Sequence, residues 1–451
     1  MRPSLHNLYE TVARSKSIDI RRTLTTLLPT DELGELARTT GFVRRRRKLD
    51  PVAMFWTLAL GFGAGTPRSF ASLRRLYGRI CGAPLAAASF HERFDASLVR
   101  FLRAVLRVLI ERLAAANTAP AGRALLARFE DVVAADASVI QVHRRLAAHF
   151  PGTRTNSSPA AAKLHLAMSV AGHGATRVKL TGERVRDHKA LVIGPWVRGR
   201  LLLFDLGYFR YQMFDCIDRN RGWFVSRLPL SANPTIVAVH RRHRGRAIDL
   251  VGRKLDKVAD RLQREELDAE IEVEFKRRVY AGRRRTARRR FRLVGTRDPS
   301  DGSYWFYVTN LGVEMMTVGE IGQVYACRWQ AELVFRELKG RYELGALPSR
   351  SAHAVEALML SSVIGLLASR RLLEAVRAKL AGEERRVREE RWSALLATVG
   401  VSVLEVVVLP ARVAAALSER LGALLLHEAP DPNVKRLSLL ERVDQGRQWV
   451  A

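Results

Sequence analysis

Cysteine is scarce in this sequence, and neither cysteine nor histidine shows the spacing of a metal site. The three cysteines, Cys81, Cys216 and Cys327, lie far apart in a chain of 451 residues. This pattern predicts a reducing compartment and no structural zinc. The eleven histidines include no HxxxH pair. The sequence therefore supports neither a zinc enzyme nor a cysteine nucleophile.

Acidic residues are also in short supply. The chain has 76 lysine and arginine residues against 45 aspartate and glutamate residues, a net charge of +31. This excess is larger than solubility requires and predicts a large polyanion as partner. The longest uncharged run near the end, residues 357–369, is too short to cross a bilayer, and the N-terminal MRPSLHNLYE has no signal-peptide core. We therefore expect a cytosolic protein without a membrane partner.

The length and the apolar pattern predict two or three domains. A chain of 451 residues is too long for one ordinary core, and its 47% hydrophobic residues exclude wholesale disorder. Residues 1–120 are typical of helices, and residues 69–94 show two apolar-periodic segments around a Gly-Ala-Pro break. That pattern fits a helix-turn-helix that reads DNA, but it also fits any helical hairpin. The basic run at 44–48 adds phosphate contacts without specifying a base sequence.

Residues 121–229 change to short apolar runs, which are typical of an α/β fold. Continuous apolar runs indicate strands that are covered on both faces of a sheet. The predicted order is three strands, a helix, a strand, a helix and a strand, at 129–139, 163–172, 176–182, 187–199, 200–209, 210–220 and 222–229.

Residues 230–315 interrupt this core with strand-like segments, and residues 316–376 then complete it. The interruption predicts an all-β subdomain with strands at 235–242, 247–254, 270–280, 289–298 and 303–311. Residues 377–451 form a predicted C-terminal helical region. The stretch 283–290 is either a solvated loop or a phosphate clamp, and the basic balance of the chain favours a clamp made of Arg283, Arg284, Arg285, Arg288, Arg289 and Arg290.

Two aspartates stand in apolar runs of the predicted core. Asp136 lies at the end of one run and Asp205 at the end of another. Either one alone could be an ordinary turn or capping residue. Functional groups of an open α/β sheet gather beyond the carboxyl ends of its strands, where neighbouring strands are about 4.8 Å apart. The two carboxylates are therefore candidates for a shared site.

The segment YACRWQAELVFRELK, residues 325–339, predicts one amphipathic helix with a polar stripe. At about 100° per residue, Tyr325, Arg328, Glu332 and Lys339 fall on one side, and Arg336 lies on the same stripe. Glu337 points about 120° away. A solvated helix face has the same pattern. With Asp136 and Asp205, however, Glu332 makes a third hard oxygen donor, and such a set suits two Mg²⁺ or Mn²⁺ ions about 3.5 to 4 Å apart.

The spacing Tyr325-x2-Arg328-x3-Glu332-x6-Lys339 resembles the Y-R-E-K signature of DDE transposases of the insertion-sequence 4 type. The strand order around Asp136 and Asp205 is similar to the ribonuclease H-like core of that family, and residues 230–315 take the place of its all-β insertion. The resemblance covers residues 35–375. It implies an α/β fold with a mixed sheet flanked by helices, an inserted β subdomain and a helical N-terminal DNA-binding region.

The resemblance also implies residue roles. Asp136, Asp205 and Glu332 would be the catalytic metal ligands, and Tyr325, Arg328 and Lys339 would hold the DNA backbone near the cleaved end. Trp305 resembles a tryptophan that stacks on a flipped base in some relatives, although ordinary sheet packing explains it equally well. The family often has glycine or serine followed by threonine after the first aspartate, whereas this sequence has Ala137 and Ser138.

The implied activity is DNA cleavage at transposon ends and transfer of the 3′ hydroxyl into target DNA. The implied partners are double-stranded DNA, as terminal inverted repeats and target, and a second copy of the chain in a synaptic complex. The implied location is the bacterial cytoplasm, at the nucleoid when DNA is bound. A catalytically silent DNA-binding descendant of a transposase and another ribonuclease H-like nuclease, such as a junction resolvase, remain alternatives.

Overall fold

The structure is a computed structural model that describes most of the chain. Arg283, Arg284 and residues 45–48 of the N-terminal basic run lie outside its described residues. The residues that the structure describes are 17–44, 49–62, 69–116, 125–154, 158–172, 174–240, 242–243, 246–247, 249–277, 285–345, 347–381, 386–433 and 440–441.

Most strands belong to one mixed sheet. They are β1 Asp131–Gln141, β2 Pro151–Arg154, β3 Ser158–Ser169, β4 Ala175–Gly182, β5 Arg200–Phe204, β6 Trp223–Arg227, β7 Thr235–Val239, β8 Arg242–His243, β9 Arg246–Ala247, β10 Glu266–Lys276, β11 Thr286–Arg297 and β12 Tyr304–Thr309. The order in the sheet is β2-β3-β1-β5-β6-β12-β11-β10-β7, with β4 paired to β3, while β8 and β9 pair only with each other. β1 is antiparallel to β3 and parallel to β5, which is parallel to β6. The predicted α/β class with a ribonuclease H-like mixed sheet is confirmed.

The two faces of the sheet are buried by different apolar clusters because successive side chains of a strand point in opposite directions. Val132 and Ala134 of β1 and Leu203 of β5 join the cluster on what we call the first face. Val133 and Phe204 join the cluster on the second face.

Helices surround the sheet on both faces, with α10 (Trp329–Gly340) packed on β1 of the first face and α8 (Tyr211–Arg219) on β6 and β10. Two of them, α11 (Ala352–Lys379) and α12 (Glu389–Val408), are long and apolar enough to cross a membrane by length and composition; 83% of the apolar window of α11 is buried inside the protein, against 44% for α12. The helices are α1 Ile20–Leu27, α2 Thr30–Thr39, α3 Pro51–Trp56 with a π-helical continuation Thr57–Phe62, α4 Phe70–Cys81, α5 Ala87–His91, α6 Ala96–Ala116, α7 Asp187–Ala190, α8 Tyr211–Arg219, α9 Val318–Ala326, α10 Trp329–Gly340, α11 Ala352–Lys379, α12 Glu389–Val408 and α13 Ala411–Glu428.

The strands of residues 230–315 lie between β6 and α9, and they continue the core sheet. β12 pairs with β6 through Tyr307 and Arg227, so the insertion is joined to the core by backbone hydrogen bonds. The strand predicted at 247–254 is wrong, because residues 249–252 form a turn with Gly252 at a φ of 81°. The predicted domain boundaries stay a prediction.

Two helix predictions need correction, and the two helices predicted within residues 69–94 are present with a short second helix. Of the helix predicted at 187–199 only α7 and a 3-10 turn at Pro195–Val197 form, because the backbone is extended at Leu191 and Pro195 has no amide hydrogen to continue a helix. In residues 69–94 the first helix, α4, ends at Gly82 with a φ of 64°, and the second, α5, has only five residues. The helix predicted over 325–339 is interrupted at Cys327 and Arg328, between α9 and α10.

Candidate active site

Asp136 and Asp205 lie side by side on adjacent parallel strands. Ala135 of β1 is paired in register with Phe204 of β5, and each aspartate is the next residue of its chain. Asp205 keeps an extended backbone, with φ −82° and ψ 173°, although β5 has ended. Both side chains therefore follow the alternation of Ala134 and Leu203 and point to the first face. The sheet brings the two predicted carboxylates together.

Glu332 approaches the same face from α10. The backbone amides of Cys327, Arg328, Gln330 and Ala331 donate to the carbonyls three residues earlier, so the chain winds more tightly there than in an α-helix. Residues three apart are eclipsed in such a turn, which stacks Arg328 directly after Tyr325. Ala331 and Val334 pack into the first-face cluster and hold the helix on the sheet. The interruption thus changes the predicted stripe but keeps Glu332 toward the aspartates.

Three carboxylates influence each other electrostatically at this point. Burial raises the pKa of Asp136 to about 6; a hydrogen bond from the Ala137 amide and the charge of Arg328 oppose this rise, whereas Glu332 and Asp205 add to it. The Ala137 nitrogen lies 2.7 Å from Asp136 Oδ1. Mutual repulsion of acids around a desolvated carboxylate marks functional sites more often than structural ones.

Arg328 neutralises part of this negative charge. Its Nη2 atom lies 2.5 Å from Glu332 Oε1, and its side chain is only 12% exposed. Burial by itself lowers the pKa of the Arg328 guanidinium, but the hydrogen bond to Glu332 and the negative charges of Asp205 and Glu332 outweigh this and raise it. Within the described residues, no three carboxylate, histidine or cysteine side chains are close enough to hold one metal ion as they lie. The donors nevertheless fit a hard divalent cation in kind, since all three supply carboxylate oxygens.

Two buried donors at the site lack acceptors. Among the described residues, neither the Tyr325 hydroxyl nor Arg328 Nε has a hydrogen-bond partner. The Tyr325 ring packs against Tyr307 of β12, with 4.8 Å between ring centroids, and burial raises the pKa of the Tyr325 phenol. Buried donors without partners are costly, so an anion such as a phosphate oxygen would be a favourable ligand here.

Arg227, which was not predicted from the sequence, lies beside Asp205 on the next strand of the sheet. On β6 it follows Ser226, the register partner of Phe204, and it is itself paired with Tyr307. Its guanidinium lies 3.8 Å from the centre of the Trp305 ring. One face of Trp305 is therefore covered by a cation. Asp205 follows β5, Arg227 ends β6, and Asp136 lies level with both inside β1.

The remaining predicted residues lie farther out. Arg336 and Lys339 are exposed on α10 and form no ion pair within the described part of the chain. Glu337 is buried and ion-paired with Arg370 of α11, so it does not join the aspartates.

The described arginines of the predicted clamp are distant from Asp205 and Arg227. Arg288 is eight residues before Thr296, the partner of Trp305, or about 27 Å along β11. Arg288, Arg289 and Arg290 each form an ion pair with a carboxylate. Arg285 is exposed and precedes the strand.

An ion pair on the second face supports the loop after Asp205. Lys163 Nζ lies 3.0 Å from Asp187 Oδ1, and Asp187 Oδ2 would lie 2.8 Å from a Cβ atom added to Gly207. We expect Gly207→Ala to lower the melting temperature by the equivalent of about 1–3 kcal/mol, because the methyl group must displace a held carboxylate. Adding Asp187→Ala should remove most of this penalty, giving a coupling of about 1 kcal/mol or more in a double-mutant cycle of thermal melts.

Gly345→Ala is the matched control for that cycle, since its Cβ atom would meet nothing within 4 Å. Strictly additive effects of Gly207→Ala and Asp187→Ala would show that the close contact does not set the position of the loop.

Comparison with known proteins shows which family the chain resembles. A family described as transposase DDE domain matches residues 127–367, more than half of the chain. The transposase for insertion sequence element IS231F of Bacillus thuringiensis subsp. israelensis is 23% identical, over 74% of this chain and 75% of its own length. The transposase for element IS231C, of subsp. berliner, is 24% identical over 69% and 70%. A solved piggyBac transposase synaptic complex with hairpin DNA is 11% identical, with a TM-score of 0.47 over 94% of this chain and 88% of that one.

The matched residues contain Asp136, Asp205 and Glu332, and the relatives fit the predicted insertion-sequence 4 type. Members of such a family act on DNA and generally depend on divalent metal ions. The resemblance inferred from the sequence is therefore confirmed, and the chain belongs to the family of DDE-domain transposases.

Proposed function

We propose that this transposase cuts DNA at the ends of its element and transfers the freed 3′ hydroxyl into target DNA by a cut-and-paste route. One observation carries the proposal: Asp136, in the middle of β1, and Asp205, directly after β5, are side by side on the face that α10 crosses with Glu332. Two Mg²⁺ or Mn²⁺ ions, when bound, would activate the attacking oxygen and stabilise the leaving oxygen of the phosphodiester.

Different side chains of the site would bind the metal ions and the DNA backbone. Asp136, Asp205 and Glu332 would hold the ions, and Glu332 would exchange its partner Arg328 for them. Arg328, released in this way, and the Tyr325 hydroxyl would donate to phosphate oxygens beside the cut. Arg336 and Lys339, exposed farther along α10, would follow the backbone outward. Trp305, whose ring is covered by Arg227, would contact an unpaired base only if the guanidinium moved off the ring.

The partners follow from the reaction. Two element ends have to be joined, so we propose a homodimer in a synaptic complex that contains both terminal inverted repeats and the target duplex. The net charge of +31 supports strong and salt-dependent binding to DNA. We place the reaction in the bacterial cytoplasm, with the protein at the nucleoid when it is bound.

The direct test uses purified protein, Mg²⁺ and a duplex that carries the element's own ends. We expect nicking at the ends, followed by joining of the 3′ hydroxyl to a second, unlabelled duplex. Hydrolysis without joining would indicate a simple nuclease, and binding without either reaction would indicate a silent DNA-binding descendant. Either result would overturn the proposal.

Replacing Arg328 by alanine is expected to weaken binding of the cleaved end about tenfold, because a largely buried phosphate donor is removed. The slope of log affinity against log salt should become less steep by about one. Competition binding with end-containing and random duplexes measures both quantities. Arg420→Ala, at an exposed position of α13, removes the same charge elsewhere, and equal effects of the two variants would remove Arg328 from the DNA contact.

A further inference from the structure

Three arginines surround one carboxylate on the second face of the sheet. Asp215 of α8 is 2.5 Å from Arg219 Nη2, 2.6 Å from Arg289 Nε and 3.7 Å from Arg277 Nη2. The Asp215 side chain is 6% exposed, whereas the three arginine side chains are 38–44% exposed. The carboxylate is thus buried beneath guanidinium groups that remain open to solvent.

The charges in this group do not balance. One aspartate faces three arginines, and within the described residues none of the three has a second carboxylate partner. The neighbouring arginines of β11 differ, since Arg288 pairs with Glu274 and Arg290 with Glu272 across the β10–β11 register. A surplus of two positive charges is therefore confined to the second face.

One donor of the group also lacks an acceptor. Arg277 Nε is buried and has no hydrogen-bond partner among the described residues. A buried donor without a partner costs free energy, and two like-charged guanidinium groups beside it add repulsion. An anion with several oxygens would satisfy the donor and the surplus charge together, and the planar guanidinium fork suits phosphate oxygens.

This arginine group is well separated from Asp136 and Asp205. Arg292 is level with Val225 through Thr309, and Arg289 lies three residues earlier on β11. Since Val225 is two residues before Arg227, the offset along the strands is about 17 Å, on the opposite face of the sheet. A phosphate at this group therefore belongs to a different stretch of DNA from the phosphate at Asp136.

We infer that Arg219, Arg277 and Arg289 form a second binding site for DNA backbone phosphate, above the buried carboxylate of Asp215, which competes with the phosphate for them. The inference rests on the proposed function only in taking DNA, rather than another phosphate source, as the ligand. Arg285, exposed at the start of the same strand region, extends the basic surface. The site makes Arg289 a DNA ligand, and it makes Arg288 and Arg290 structural residues of the sheet.

The test is binding of a random 30-base-pair duplex in a chelator, so that cleavage does not contribute. Arg219→Gln combined with Arg277→Gln is expected to weaken binding about tenfold and to make the salt slope less steep by about one. Arg412→Gln combined with Arg420→Gln removes two charges at exposed positions of α13 and controls for net charge. Arg288→Gln combined with Glu274→Gln removes a balanced pair from the same hairpin and should leave binding unchanged.

Asp215→Asn provides an independent variant if the double arginine variant does not fold, because it leaves the guanidinium groups and removes the competing charge. We expect it to bind the duplex at least as tightly as the wild-type protein. Weaker binding by a folded Asp215→Asn protein, or equal effects of the two double arginine variants, would overturn the inference. Thermal stabilisation by inorganic phosphate with no change in duplex binding would identify a small-anion site and would also overturn it. Absence of cleavage by the wild-type protein would count against the proposed function alone.

Discussion

Replacing Glu332 by alanine is expected to abolish DNA cleavage while leaving the affinity for DNA within about twofold of the wild-type value. The change removes one of three carboxylates proposed to hold the metal ions, and a loss of about 10³-fold or more corresponds to at least ~4 kcal/mol of barrier. It removes no cation. Arg328, which loses its 2.5 Å partner, remains available to phosphate.

Cleavage of an end-containing duplex with Mg²⁺, alongside equilibrium binding in chelator, measures the two effects separately. Glu419→Ala, at an exposed position of α13, is the matched control and should change neither. Binding and cleavage lost in equal proportion would contradict the role of Glu332 as a metal ligand. Full cleavage by Glu332→Ala would also refute the proposed catalytic set.

Replacing Asp136 by asparagine is expected to abolish cleavage and, at the same time, to stabilise the metal-free protein above pH 6. The folded-state pKa of Asp136 is raised to about 6 by burial and by its acidic neighbours, against about 3.9 in an unfolded chain. A raised carboxyl pKa favours the protonated form of the folded state. The contribution to stability is therefore complete below pH ~4 and is lost as the pH rises through about 6.

Asparagine removes this penalty because its amide does not ionise. The expected gain at pH 8 is on the order of 1–3 kcal/mol, and it should vanish near pH 4. Thermal melts in chelator across this pH range measure the effect, with Asp260→Asn, an exposed carboxylate, as control. A melting temperature of Asp136→Asn below that of the wild type at pH 8 would show that the charge of Asp136 is not destabilising.

The expected effects of Glu332→Ala and Asp136→Asn together indicate that the acidic site lowers the stability of the folded protein. Acidic side chains gathered around a desolvated position destabilise the metal-free protein, and divalent cations would relieve that repulsion. Substitutions that remove a destabilised functional group commonly raise stability and lose activity. We therefore expect Mg²⁺ to raise the melting temperature of the wild-type protein more than that of Asp136→Asn.

Several features of the site could be read from the residues in order. Asp136 and Asp205 each follow a short apolar run, and the register of adjacent parallel strands places the two positions side by side. The alternation of EIEVEF predicted β10, because one wet face imposes a period of two. The choice of Glu332 over Glu337 followed from helical spacing and from the family signature.

Other features depended on packing between distant segments. The stretch 325–339 contains neither glycine nor proline, so nothing local predicts the tight turn at Arg328. The sequence assigned all arginines of residues 283–290 to one phosphate clamp. The β10–β11 register instead gives Arg288 and Arg290 carboxylate partners and turns Arg289 to the other face.

Local order along the chain was thus sufficient for the class of fold, the excess of positive charge and the acids that follow apolar runs, because each depends on neighbouring residues. Which charges meet a partner was settled only by folding. Asp136 gains Glu332 as a neighbour, and Asp215, which already has Arg219 one helical turn away, gains Arg277 and Arg289, through strand register and helix packing between segments far apart in the chain. Electrostatic energy depends on distance in space, and a linear order of residues does not contain that distance.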